Sequence, residues 1–177
     1  MKYVIALDIH GSAYYCSLLK ERYLAEGAQK LVLLGDLLYH GARNPLPRDY
    51  STLKTAEILN SMKEHILCVR GNCDSDVDTL VLEFPIIADY ALLSVGDKTL
   101  VLTHGHKNYG VLGEKDVLVN GHFHVPAFER REKHLYVNCG SVSIPKENSP
   151  HSYLVLQDGT LLWKDVETGE IFRRETL

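Results

Sequence analysis

Residues 2–11, KYVIALDIHG, decide the fold. Residues 2–7 form a short, apolar, β-rich run that reads as a buried strand; Asp8 ends it, and Ile9, His10 and Gly11 follow. Two further runs end in the same way. Residues 30–34, KLVLL, lead into Gly35-Asp36, and residues 65–69, HILCV, lead into Arg70-Gly71-Asn72-Cys73-Asp74. Helical patterns separate the three. Residues 13–26 place Tyr14, Leu18, Leu19 and Tyr23 at helical spacing before a stop at Gly27. Residues 52–63 read as a second amphipathic helix capped by Ser51 or Thr52. Strand–helix–strand–helix–strand predicts parallel pairing through right-handed crossovers. Ligands bind beyond the carboxyl ends of such strands, so Asp8, His10, Asp36 and Asn72 are expected in one crevice.

The second half reads as strands at 89–95, 98–103, 116–120, 126–131, 134–138, 152–156 and 160–165, with hairpin turns at Gly96-Asp97 and Asp158-Gly159. A second sheet stacked on the first is expected. The fold class is α/β, a two-sheet α/β sandwich with helices outside, as a single domain over 1–177. Two of the later strands end in histidines: Thr103-His104-Gly105-His106 and Asn120-Gly121-His122-Phe123-His124. In a strand-like segment His122 and His124 point to one side. Each pair alone is weak, since a lone Asp-x-His or Gly-Asp is common in solvated turns. Together, Asp8, His10, Asp36, Asn72, His104, His122 and His124 are seven N and O donors, too many for one tetrahedral ion. They suit two divalent ions about 3.5–4 Å apart that share one carboxylate.

Composition narrows the rest. A chain of 177 residues, 45% hydrophobic and 24% charged, buries enough surface to fold without a metal or disulfide staple. Its net charge of −4 lacks the basic surplus of a nucleic-acid binder, so no nucleic acid is expected as a partner. Cys16, Cys68, Cys73 and Cys139 form no CxxC pair. No run approaches the roughly 18 apolar residues of a membrane span, and no membrane partner is expected. The expected location is cytoplasmic.

The ordered series Asp8-x-His10, Gly35-Asp36, Gly71-Asn72, His104 and Gly121-His122-x-His124 resembles the calcineurin-like metallophosphoesterase superfamily. Residues 35–44, 69–75 and 140–146 are similar to its bacterial YfcE-type phosphodiesterases. The resemblance implies one metal held by Asp8, His10 and His124, a second held by Asn72, His104 and His122, and Asp36 as the bridge. It implies in-line attack on phosphorus by a metal-bridging hydroxide, and a small phosphoester substrate. Two divalent ions would outweigh the two carboxylates and the hydroxide, leaving a locally positive site on a negative protein. N and O ligation admits manganese, zinc, iron or nickel; the resemblance favours manganese. A homo-oligomer is also suggested.

Most of the superfamily has histidine where Cys73 stands, near the leaving group. Cys73 therefore reads either as an active-site neighbour or as a small filler behind the metals. His40 and Arg43, in the long loop at 40–50, are close enough in sequence to Asp36 to reach a substrate, or are solvated. His106 reads as support for His104. The rival reading is a protein-interaction scaffold resembling a retromer subunit.

Overall fold

A computed structural model describes residues 1–108 and 112–177. The strands are β1 (Lys2–Ala6), β2 (Lys30–Leu33), β3 (Ile66–Cys68), β4 (Tyr90–Val95), β5 (Lys98–Thr103), β6 (Asp116–Asn120), β7 (Ala127–Arg130), β8 (Leu135–Asn138), β9 (Ser152–Gln157), β10 (Thr160–Asp165) and β11 (Ile171–Thr176). The helices are α1 (Ala13–Glu26) and α2 (Thr52–Asn60). Ser12 caps α1 by accepting from the Tyr15 amide, and Gly27 ends it at φ 58°. Ser51 caps α2 in the same way. That helix stops short of residue 63: the Ser61 hydroxyl bonds back to the Ile58 carbonyl, and the chain tightens into a 3₁₀ turn at Lys63–His65.

One sheet has the order β11-β10-β9-β1-β2-β3, the other β4-β5-β6-β8-β7. The expected sandwich is present, with one redistribution. Strands β9, β10 and β11 join the first sheet, because β9 pairs antiparallel with β1 and extends it on the side away from β2. Strand β11 is absent from the sequence reading.

Burial follows the strand period of two. In β1, Val4 and Ala6 pack toward the helices with Leu31 and Leu33 of β2. Ile5 and Leu7 point the other way, onto Leu102, Val119 and Val137 of the second sheet. Both helices therefore cover the first sheet, and among the described residues none covers the second. The parallel sets β1-β2-β3 and β5-β6-β8 deliver their carboxyl ends to the same place. The contacts that join them there are Gly121 against Leu7 and the Val142 amide on the Leu7 carbonyl.

Candidate active site

Every expected ligand position follows a parallel strand, and five of the seven break the ordinary backbone rule. Asp8, His10, Asp36, His122 and His124 have φ of 55, 48, 56, 63 and 62°. Left-handed non-glycine residues cost on the order of 1–3 kcal/mol each and persist where the surroundings fix them. The surroundings here are hydrogen bonds. The amides of His10 and Gly11 reach the carbonyls of Asp36 and Leu37, carrying the β1–β2 ladder past both strand ends. His122 and His124 thus lie in a turn, not in a strand as expected. They face the same cleft but different halves of it.

Asp8, His10 and His124 bring one donor atom each within a 4.8 Å cluster, and Asp36, His104 and His122 form a second. The ring orientations are fixed from behind. His10 Nδ1 lies 2.8 Å from the Tyr39 carbonyl, His104 Nδ1 2.8 Å from the Leu34 carbonyl, and His124 Nδ1 2.6 Å from the Ile144 carbonyl. A carbonyl only accepts, so each Nδ1 carries a hydrogen and each Nε2 is turned inward.

In the first set, His10 Nε2 stands 3.8 Å from Asp8 Oδ1, and His124 Nε2 stands 3.7 Å from Asp8 Oδ2. Both His10 Nε2 and Asp8 Oδ1 are buried with no hydrogen-bond partner. In the second, His104 Nε2 is 2.9 Å from Asn72 Oδ1, 3.2 Å from His122 Nδ1 and 3.4 Å from Asp36 Oδ2. Donor atoms about 2.1 Å from one ion stand roughly 3–3.4 Å apart; the second set has such spacings, and the first, at 3.7–3.8 Å, is a few tenths of an ångström wider. Asp36 belongs to both halves. Its Oδ1 accepts the Cys73 amide at 2.8 Å, which leaves Oδ2 facing His10 Nε2 at 3.7 Å and His104 Nε2 at 3.4 Å.

Burial and the mutual contacts of these groups set their electrostatics. Burial pushes the Asp8 carboxyl well up. Burial also lowers His10, and takes His124 down to about 4. For His104, burial alone would lower the value; the hydrogen bond to Asp36 and the charges of Asp8 and Asp36 outweigh it and raise it to about 9. Burial raises Asp36, but the His104 hydrogen bond and charge outweigh that and hold it well below the usual carboxylate range.

Several supporting groups escaped the sequence reading. Buried Asp74 accepts the amides of Asp36, Leu37 and Gly71 at 2.9, 2.8 and 2.7 Å, clamping two of the strand-end loops together. The hydroxyls of Ser141 and Ser143 hold the Asp8 carbonyl at 3.1 and 2.9 Å. Lys146 enters the wall of a cleft of about 360 Å³ beside Asp36, Asn72, His122 and His124.

The remaining candidates divide. Cys73 lines that cleft, with Sγ clustered with His10 and Asp36 donors, and burial first and Asp36 second push its thiol up to about 12. Arg43 stands exposed on the rim. His106 sits behind the second set, its ring 5.4 Å from His104 and 6.3 Å from His122. His40 does not line the cleft; its ring packs edge-on against Tyr39 and Tyr50.

Residues 1–159 match the calcineurin-like phosphoesterase superfamily domain, and the chain belongs to that metal-dependent family. Phosphodiesterase YfcE of Escherichia coli K12 is 46% identical over 165 residues, covering 91% of this chain and 90% of that protein. The solved structure of YfcE, described as a phosphoesterase from E. coli, superposes with a TM-score of 0.94 at 42% identity over 99% of both chains. With these relatives, the chain is an enzyme, a phosphodiesterase of the metallophosphoesterase class. A zinc complex of Vps29 from Entamoeba histolytica shares the fold, with a TM-score of 0.60 at 17% identity, covering 100% of this chain and 98% of that one. No helix among the described residues is long and apolar enough to cross a membrane.

Proposed function

We propose that this phosphodiesterase works with two divalent metal ions on a small soluble phosphoester. Asp8, His10 and His124 hold one ion; Asn72, His104 and His122 hold the other; Asp36 joins them. The observation that carries this is Asp36 Oδ2, one oxygen facing the donor atoms of both sets while Oδ1 is occupied by the Cys73 amide. Divalent ions held by these residues would supply Lewis-acid chemistry, making water acidic near neutral pH and neutralising charge on phosphate oxygens. Manganese is the favoured metal; zinc, iron and nickel suit the same donors.

The chain's own residues bind, orient and hold protons. The three backbone carbonyls keep Nε2 of His10, His104 and His124 pointed inward. Lys146 and Arg43, on the cleft wall and rim, attract the phosphate anion. Cys73, kept as a neutral thiol, is a weak donor beside the reacting atoms, and His106 positions its neighbours His104 and His122. His40 is the weakest of these assignments, because its ring turns into Tyr39 and Tyr50.

The reading takes residues 1–177 as one unit. It places the protein in the cytoplasm, supported by four unpaired cysteines that suit a reducing compartment. A homo-oligomer belongs to the same reading and is checked by sedimentation velocity. A metal-binding scaffold is disfavoured by the likeness to phosphodiesterase YfcE, 46% identical over 91% of this chain; the orphaned buried Asp8 Oδ1 and His10 Nε2 suit a cation in either reading.

The test is to strip the protein with a chelator, return manganese, zinc, iron or nickel in steps, and follow hydrolysis of bis(4-nitrophenyl) phosphate. Turnover should appear as occupancy passes from one ion per chain to two. Full turnover at one ion, or none at two with the protein folded, contradicts the proposal.

A further inference from the structure

Cys73 belongs to two clefts. One is the metal-side cleft; the other is an apolar groove of about 490 Å³ on its far side. The groove is walled by Tyr39, Tyr50, Leu53, Val77, Leu80 and Val81. Five of these stand among the exposed large hydrophobic side chains, with Leu53 and Val77 66% and Leu80 82% exposed. So much apolar surface left in water calls for an occupant. The one ionisable carboxylate in the groove's lining, Asp78, is buried and spent on the amide and hydroxyl of Ser75. No other charged side chain among the described residues lines the groove.

The groove is tied to the reacting centre at two points. The Cys73 amide holds Asp36 Oδ1, while its side chain forms part of the groove. Tyr39 lines the groove, while its carbonyl accepts from His10 Nδ1. A group seated between Tyr39 and Leu80 therefore lies next door to the metal-side cleft, with only a small, uncharged cysteine at the boundary. A histidine there would fill more of the opening and add a polar ring.

We infer that the groove is a substrate subsite, and that it takes an aryl or similarly bulky apolar arm of a phosphodiester whose phosphate sits in the metal-side cleft. The inference rests on the phosphodiesterase reading and gives it a substrate class: diesters with at least one large apolar ester group. Its volume lies within the range of small-molecule sites. Its continuity with the cleft through Cys73 favours a substrate arm over a second copy of the chain.

The test compares diphenyl phosphate with dimethyl phosphate, two monoanionic diesters that differ only in their arms. Binding to the metal-loaded protein is read by calorimetry, for the native chain and for Leu80→Asp and Val77→Asp. Both substitutions fall at exposed positions of a surface turn. The native protein should prefer the diphenyl ester by about tenfold or more, and each variant should shrink that preference about tenfold, since each removes apolar contact and adds a charge. No native preference, or the same preference in both variants, overturns the inference. So does a change of sedimenting mass in the variants with the preference intact, which would make the groove a contact between copies. Turnover of bis(4-nitrophenyl) phosphate is followed in parallel. A diphenyl preference that falls in the variants, in a protein with no metal-dependent turnover, would sink the phosphodiesterase reading and still support the groove.

Discussion

At one end of the sandwich Gly96 and Gly159 turn the β4–β5 and β9–β10 hairpins with φ of 61 and 80°, and a methyl group added at either meets nothing within 4 Å. At the other end Gly35 and Gly71 pass so close that a methyl on Gly35 would lie 2.3 Å from the Gly71 amide nitrogen. One on Gly71 would lie 2.1 Å from Asp36 Oδ1. The hairpin end uses glycine for backbone freedom alone. The site end uses it to let two strand-end loops share one space, so that Asp36 is gripped by Cys73 and Asp74 together. Turns at the hairpin end can be altered at modest local expense; turns at the site end are part of the chemistry.

The sharpest way to break this contrast is to substitute at both ends. Gly71→Ala must displace the Asp36 carboxylate, and a displacement of about 1 Å at a reacting centre costs roughly 10²-fold in rate. Activity should fall at least that far, with weakened metal binding. Asp36→Asn removes the charge itself without moving the backbone. It should abolish turnover and reduce occupancy at both ion positions, measured by metal analysis after dialysis, whereas His124→Ala should chiefly empty one. Near-normal activity with two ions in Asp36→Asn would remove the basis for the bridging role.

A smaller effect concerns pH. Below the ordinary histidine value of 6.5, His104 is charged in folded and unfolded chains alike, and its contribution to the metal-free fold is fully present. That contribution is lost as pH rises toward about 9. A metal needs the neutral ring. Between these limits, metal binding should expel a proton and tighten with rising pH. Calorimetry in two buffers of different ionisation enthalpy should give about one proton released from this ring at pH 7.5 and about a quarter of one at pH 9.5. Equal heats in the two buffers at pH 7.5 would contradict the assignment of His104.

The fold was largely legible because its deciding strands are buried on both faces and carry continuous apolar runs. Strand β11 escaped for the opposite reason. Ile171–Thr176 is an edge strand with mostly exposed residues, Ile171, Phe172, Arg174 and Thr176 among them, and Arg173 and Glu175 only half-buried, so no hydrophobic face marks it. The pairing of β9 with β1 joins segments some 150 residues apart, and hydrophobic pattern says nothing of which sheet a strand enters. At the site, the seven candidate donors announce themselves by residue type at strand ends. The left-handed backbone of five of them does not, since positive φ is uncommon for any non-glycine residue, even for aspartate and histidine, which adopt it more often than most. The reach of Asp74 to Asp36 and Leu37 spans 38 and 37 residues, which no local spacing encodes. The apolar groove is likewise assembled from α2, the loop before it and the turn at Asp76–Leu80.

Cys73→His sharpens the contrast at lower amplitude. General-acid assistance is typically worth 10²–10⁴-fold, and its value grows with the basicity of the leaving group. The variant should gain more on alkyl esters than on aryl esters. A plot of log rate against leaving-group pKa should be steeper for the native protein, and equal slopes would mean that the group at residue 73 does not serve the leaving oxygen. Gly159→Ala, at the hairpin end, closes the series. It should cost about 1–2 kcal/mol of stability from backbone strain alone, measured by urea unfolding, with kcat/KM unchanged within twofold.

The most direct test of the two-ion site is anomalous diffraction from crystals of the manganese-loaded protein, recorded at the manganese edge. Two peaks about 3.5–4 Å apart are expected. One should be ringed by Asp8, His10 and His124, the other by Asn72, His104 and His122, with Asp36 Oδ2 between them. A single peak, or two peaks without Asp36 as a shared ligand, would contradict it.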